Sequence, residues 1–114
     1  MKLDALKQED IKIEYTQRFT DYVRKKGIKN ISIRGVERGS EMECKVLEVH
    51  ALKEKEIPVF ENSKYFRFTD GPCRVFLSPD LILTAEAITL DVRRLLGVIP
   101  DLKAIGLEVP NIFY

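Results

Sequence analysis

The sequence predicts a small α+β domain: a mostly antiparallel, barrel-like or sandwiched β-sheet with one main helix. Three observations lead there. Residues 11–27 read as a strand, a helix and a glycine stop. The middle of the chain is a series of short alternating segments punctuated by turn residues. Asp70-Gly71 falls between two of those segments, where a hairpin is favoured. At 114 residues the chain has the size of one domain, and such a chain buries roughly 65% of its unfolded surface without needing staples.

Residues 1–10 read as a short polar N-terminal arm of one or two helical turns, ahead of a single domain over 11–114. Ile11-Lys12-Ile13-Glu14-Tyr15 alternates apolar and polar residues, the period of a half-buried strand. Thr16 is placed as a helix N-cap, Phe19, Tyr22 and Val23 share one face, Lys25 and Lys26 complement the helix dipole, and Gly27 supplies the stop, so a helix is expected over 17–26. Ile31-Ser32-Ile33-Arg34 alternates again, the polar stretch 35–43 reads as a loop, and a second run follows at 44–49. Further strands are expected at 57–60, 65–68 and 73–77. Thr69-Asp70-Gly71-Pro72 joins the last two in a turn where Gly71 takes positive φ.

Residues 78–97 fit two templates. As a helix, Leu81, Ala85, Ile88, Val92, Leu95 and Leu96 make one apolar face, Ser78-Pro79 starts it and Gly97 ends it. As a strand, Ile88, Leu90 and Val92 alternate with Thr89 and Asp91, and the β-branched residues favour extension. Local signals favour the helix slightly. Residues 102–109 read as a closing strand carrying Gly106, followed by the apolar tail Ile112-Phe113-Tyr114.

Composition narrows the class of function. With 45% apolar and 32% charged residues, nineteen basic against eighteen acidic, the chain is that of a globular protein. The N-terminus lacks the apolar stretch of a signal peptide and no run reaches the roughly 20 apolar residues of a membrane span, which points to the cytoplasm and to reduced thiols at Cys44 and Cys73. Eight cations against three acids give residues 12–38 a charge of +5, but residues 41–61 answer with six glutamates against three lysines. The chain is dipolar rather than basic, which argues against nucleic acid as a partner.

Few residues are equipped for chemistry. A zinc or iron–sulfur site wants three or four Cys or His ligands, usually in close pairs. This chain offers Cys44, Cys73 and His50, widely spaced, with both cysteines at the starts of expected strands where a thiol behaves as a small apolar group. No nucleophile elbow and no phosphate-binding glycine loop occurs.

Read in order, Ile11-Lys12-Ile13, Asp21 to Gly27, Ile31-Ser32-Ile33, Gly35 to Val46, Asp70 to Ser78 and Ile88-Thr89-Leu90-Asp91-Val92 form a succession similar to the HesB-like proteins, the superfamily of A-type iron–sulfur carriers. The likeness spans roughly residues 11–109 and looks closest to the small proteins related to the cysteine/selenocysteine-motif HesB-like group. It implies that residues 86–92 are a strand, and the strand is the reading adopted. It also exposes departures. The carriers bear one cysteine in the loop matching 36–42 and a Cys-x-Cys near the C-terminus, and neither is present here.

The resemblance therefore implies a fold without the carrier chemistry: a non-enzymatic domain acting by protein contact, or as an accessory to iron–sulfur or redox metabolism, with no cofactor. The alternative is a dimeric iron–sulfur or zinc carrier using Cys44, Cys73 and His50. The expected partner is another protein or a second copy of the chain, with Ile112-Phe113-Tyr114 as a candidate two-fold contact.

Overall fold

The structure, a computed structural model, describes residues 1–38, 44–95, 97 and 99–110. Short 3₁₀ turns at Leu3–Ala5 and Gln8–Asp10 lead into β1 (Ile13–Tyr15), α1 (Gln17–Lys26), β2 (Asn30–Arg38) and β3 (Cys44–Ala51). A third 3₁₀ turn (Glu54–Glu56) runs into α2 (Ile57–Glu61), followed by β4 (Phe66–Phe68), β5 (Arg74–Leu77), β6 (Ile82–Leu83), β7 (Ile88–Leu95), β8 (Ile99–Ile105) and β9 (Leu107–Glu108). The fold is α+β, with mixed, mostly antiparallel sheets and two short helices.

Helix α1 is specified at both ends. Thr16 Oγ1 accepts a hydrogen bond from the Phe19 amide at 3.2 Å, and Gly27, at φ 69°, turns the chain into the left-handed region so that its N–H reaches the carbonyls of Arg24 and Val23. Phe19 and Val23, one helical turn apart, are both fully buried. Burial of side chains of this size stabilises by about 1.5–3 kcal/mol each.

Two larger sheets supply much of the rest of the core, and a two-stranded β6–β9 pair adds Leu107. One runs β3-β2-β5-β4, with β3 antiparallel and β5 parallel to β2, and β4 antiparallel to β5. The other runs β1-β7-β8, with β1 parallel to β7 and a β7–β8 hairpin in register from Thr89 opposite Ile105 to Leu95 opposite Ile99. Side chains alternate across a strand, so Ile31 and Ile33 face the same way as their register partners Val75 and Leu77. These four join Ile88 and Leu90 of the second sheet, with Phe19 and Val23, in one buried cluster. The outer strands β3 and β8 lie near each other without pairing. Residues 1–10 take part as well: Leu3 is fully buried, its amide bonds to the Leu81 carbonyl at 2.9 Å, and Leu83 bonds back to Met1 at 2.8 Å.

Several expectations are corrected. Residues 57–60 form α2 instead of a strand. Pro58 has no N–H for a ladder and its fixed φ suits a first helical turn, while Phe60 turns inward and Val59 is left 70% exposed. The loop expected from Gly35 begins later, because β2 keeps pairing with β3 as far as Arg38. The strand reading of 86–92 agrees with β7. The competing helix gives way because Ile88, Thr89 and Val92 find partners on β1 or β8, and Ser78 Oγ serves a local turn by accepting from the Asp80 amide at 3.3 Å. The closing strand is broken into β8 and β9 at Gly106, which has φ 96°. The tail 111–114, with its proposed two-fold contact, lies outside the described residues.

The β4–β5 hairpin is present, but Gly71 is not among the glycines with positive φ. Its requirement is steric. A Cβ on Gly71 would stand 2.3 Å from the Tyr15 ring, and Tyr15 is held by packing at 5.8 Å, ring to ring, on Phe19. Burial pushes the Tyr15 hydroxyl up to about 12, with Cys73 and Asp70 nearby adding to the rise. Gly71→Ala is therefore expected to cost about 1–3 kcal/mol of stability, the range for overpacking. In the Tyr15→Leu background the same change should cost clearly less. Thermal melts of the four proteins check this, and an equal cost in both backgrounds would contradict the contact.

Candidate functional site

The residues singled out for metal chemistry do not converge. Cys73 belongs to the buried core cluster, at 5% exposure, and burial pushes its thiol up to about 11. His50 lies on β3 opposite Ser32, which in turn pairs with Phe76, so it faces away from the side that buries Val75 and Cys73. Its Nε2 is 3.3 Å from Glu56 Oε2. The Lys53 amide, and then His50, hold the Glu56 carboxyl below the usual range. Cys44 opens β3, and its side chain lies outside the described part of the structure. Among the described residues no group of three His, Cys, Asp or Glu side chains could hold a metal ion. In the folded protein Cys73 should resist iodoacetamide at pH 8 and react on unfolding, since the thiolate is the nucleophile and burial disfavours it. Peptide mass spectrometry reads the site, and labelling of folded Cys73 would contradict its placement.

A different constellation is organised around Asp91. This β7 carboxylate is 4% exposed, and it is capped by polar groups rather than sunk among apolar ones. Thr16 Oγ1 donates to Asp91 Oδ1 at 2.8 Å, Arg18 Nε donates to the same oxygen at 2.6 Å, Arg18 Nη2 donates to Oδ2, and the Val92 amide adds a fourth bond at 2.8 Å. The Thr16 amide also bonds to the Leu90 carbonyl at 3.1 Å. The Arg18 bonds, followed by those from Thr16 and Val92, hold the Asp91 carboxyl well below the usual carboxylate range, and the same pairing raises Arg18.

This anchor fixes one wall of a cleft of about 720 Å³ between α1 and the β7–β8 hairpin. Arg18, Lys25 and Lys26 line it from the helix side and Arg93 and Arg94 from β7, with Asp21 the one acidic residue of the lining. Tyr22, Val92 and Pro100 give it an apolar floor. The cations are unequal. Arg18 is committed to Asp91, Arg93 Nε lies 3.5 Å from Asp101, and Asp21 is engaged by Gln17 at 2.9 Å. Lys25, Lys26 and Arg94 have no ion-pair partner among the described residues. A helix C-terminus attracts lysines of its own accord, with a partial charge of about −0.5. That accounts for Lys25 and Lys26 in part, but it does not bring Arg94 to them from another element. A second groove, of about 440 Å³ between β3 and β8, has its charges more evenly matched, with Glu48 and Asp101 beside His50, Arg93 and Lys103.

The basic stretch 12–38 is visible in the sequence, and Arg93 and Arg94 lie far outside it. What joins them is the β7 register that sets Asp91 under Thr16, and no spacing rule carries that. Comparison with protein-family models, with curated proteins and with solved structures finds no match to this chain. Among the described residues no helix is long and apolar enough to cross a membrane.

Asp91 generates a prediction with a definite sign. Its carboxyl is depressed in the fold and returns to about 3.9 on unfolding. Its contribution is therefore fully present above about pH 4 and is lost as the pH falls further, because the unfolded chain binds the proton first. Asp91→Asn should cost about 2 kcal/mol at neutral pH, the scale of charge-assisted hydrogen bonds. The gap in Tm between parent and variant should narrow on acidification below about pH 4. A gap that stays constant with pH would contradict the assignment.

Proposed function

We propose that this protein is a non-enzymatic binding domain that docks an acidic segment of a partner protein in the cationic cleft. One observation carries the reading: Lys25, Lys26 and Arg94 converge from two elements on a cleft with a single acidic lining residue, and none of the three has an ion-pair partner among the described residues. Unpaired cations around a partly apolar floor suit glutamate and aspartate side chains interleaved with apolar ones. An acidic protein is favoured over nucleic acid because Tyr22 is the one aromatic in the lining, which leaves no platform for successive bases. The dipolar chain, with its glutamate-rich 41–61 segment, also offers no extended basic track for a phosphate backbone.

HesB-like membership, and with it a link to iron–sulfur or redox metabolism, is a further proposal that rests on the sequence segments alone. So does the dimeric carrier using Cys44, Cys73 and His50, which has less support because Cys73 and His50 face opposite sides of one sheet.

The test uses a fluorescent peptide of alternating glutamate and leucine residues, with a lysine-for-glutamate version as control. The parent protein should bind the acidic peptide, and Lys25→Glu/Arg94→Glu should weaken binding at least about tenfold, or 1.4 kcal/mol, with its melting transition retained. Binding should also weaken with added salt, since the lining is exposed and the screening length is about 10 Å at 0.1 M. Equal binding of both peptides, an unaffected double variant, or preference for single-stranded DNA would overturn the reading.

A further inference from the structure

Strand β8 sorts its side chains by face. Leu102 and Ala104 pack against the core, so by alternation Ile99, Asp101, Lys103 and Ile105 stand on the outer face. Ile99 is 57% and Ile105 48% exposed, two of the four large apolar side chains left open among the described residues. The rise of a strand holds them about 20 Å apart, too far to form one patch on a single copy. The free edge of β8 lies beside β3, across the groove that Asp101 and Lys103 border, which leaves the outer face as the approach open to a partner.

The pattern of this face is Ile-x-Asp-x-Lys-x-Ile, which reads the same in both directions except that its two charges are opposite in sign. Turned end for end about Leu102, the strand meets a copy of itself with Ile99 on the partner's Ile105 and Asp101 on the partner's Lys103, and each pair occurs twice. Neighbouring alignments fail. Centring on Asp101 or on Lys103 sets like charges together and drives an isoleucine against a charge, and a parallel alignment in register stacks aspartate on aspartate. The charges are also available. Asp101 is held within its own chain by Arg93 at 3.5 Å, with both side chains open to solvent, and an exposed pair of that kind contributes little.

We propose that the protein self-associates through the outer face of β8, with two copies face to face and their β8 strands antiparallel about a two-fold axis at Leu102. A two-fold contact of this kind closes on itself, so association stops at the dimer. The isoleucine pairs remove apolar surface from water at both ends of the contact, while the Asp101–Lys103 pairs at its centre select the register more than they add affinity. None of the four outer-face residues lines the cationic cleft, so the two surfaces are separate.

Sedimentation velocity on the full chain tests this with charge reversals. The parent should form a dimer that dissociates on dilution. Asp101→Lys alone or Lys103→Asp alone should weaken the dimer at least about tenfold, because each reversal sets two like-charged pairs against each other. An equimolar mixture of the two single variants should form a heterodimer, and Asp101→Lys/Lys103→Asp should recover the parent's self-association, since both restore every opposite-charge pair. Thermal melts verify that each variant is folded. A parent that stays monomeric up to about 1 mM, a dimer that the single reversals leave unchanged, or a loss that neither the mixture nor the double variant repairs would overturn the proposal.

Discussion

The Thr16 hydroxyl holds this structure at its centre, because one oxygen serves two partners. It accepts from the Phe19 amide, which starts α1, and it donates to Asp91, which fixes that start to the middle of β7. Phe19 and Val23 reach the core only if the helix begins there and in that orientation. Replacing a threonine cap by alanine costs about 1 kcal/mol in most proteins. Here the same change would also leave Asp91 with one donor fewer in a position closed to water. Serine keeps the hydroxyl and would keep both bonds.

The anchor also explains why the cationic cleft is sited where it is. Arg18 neutralises Asp91 and yet its side chain is 65% exposed, so the buried carboxylate is satisfied from the surface. The strand that carries Asp91 continues through Arg93 and Arg94, and the helix that begins at Thr16 ends at Lys25 and Lys26. Once the two elements are joined at Asp91, their basic residues border one cleft. Exposed like charges in that arrangement repel one another, a modest cost in high dielectric that an acidic occupant would reverse.

Local rules make much of this legible in the sequence itself. The Thr16 cap, the Gly27 stop and the Phe19–Val23 face each follow from a short-range physical reason, and the structure places them as expected. The alternation at Ile31–Ile33 and at Ile88–Val92 marked core strands for the same reason. Where reading failed, the deciding contact was distant or the signal was degenerate. Pro58 made an apolar run helical, and Phe60 found its place against Phe76 at 5.8 Å, a contact no local pattern shows. Gly71 was read as a positive-φ turn residue, whereas its constraint comes from Tyr15, far away in sequence. The cleft was the least legible feature, since Lys25 and Arg94 come to line one cleft only through the fold.

The central claim is that the convergence of Lys25, Lys26 and Arg94, fixed by Asp91, is a recognition surface rather than a solvated end of a helix. Amide chemical-shift mapping tests it most directly, with isotope-labelled protein titrated with the alternating glutamate–leucine peptide. The account predicts saturable shifts concentrated at Tyr22, Lys25, Lys26, Arg93 and Arg94. Shifts spread evenly over exposed lysines, or centred on the β3 and α2 face, would contradict it.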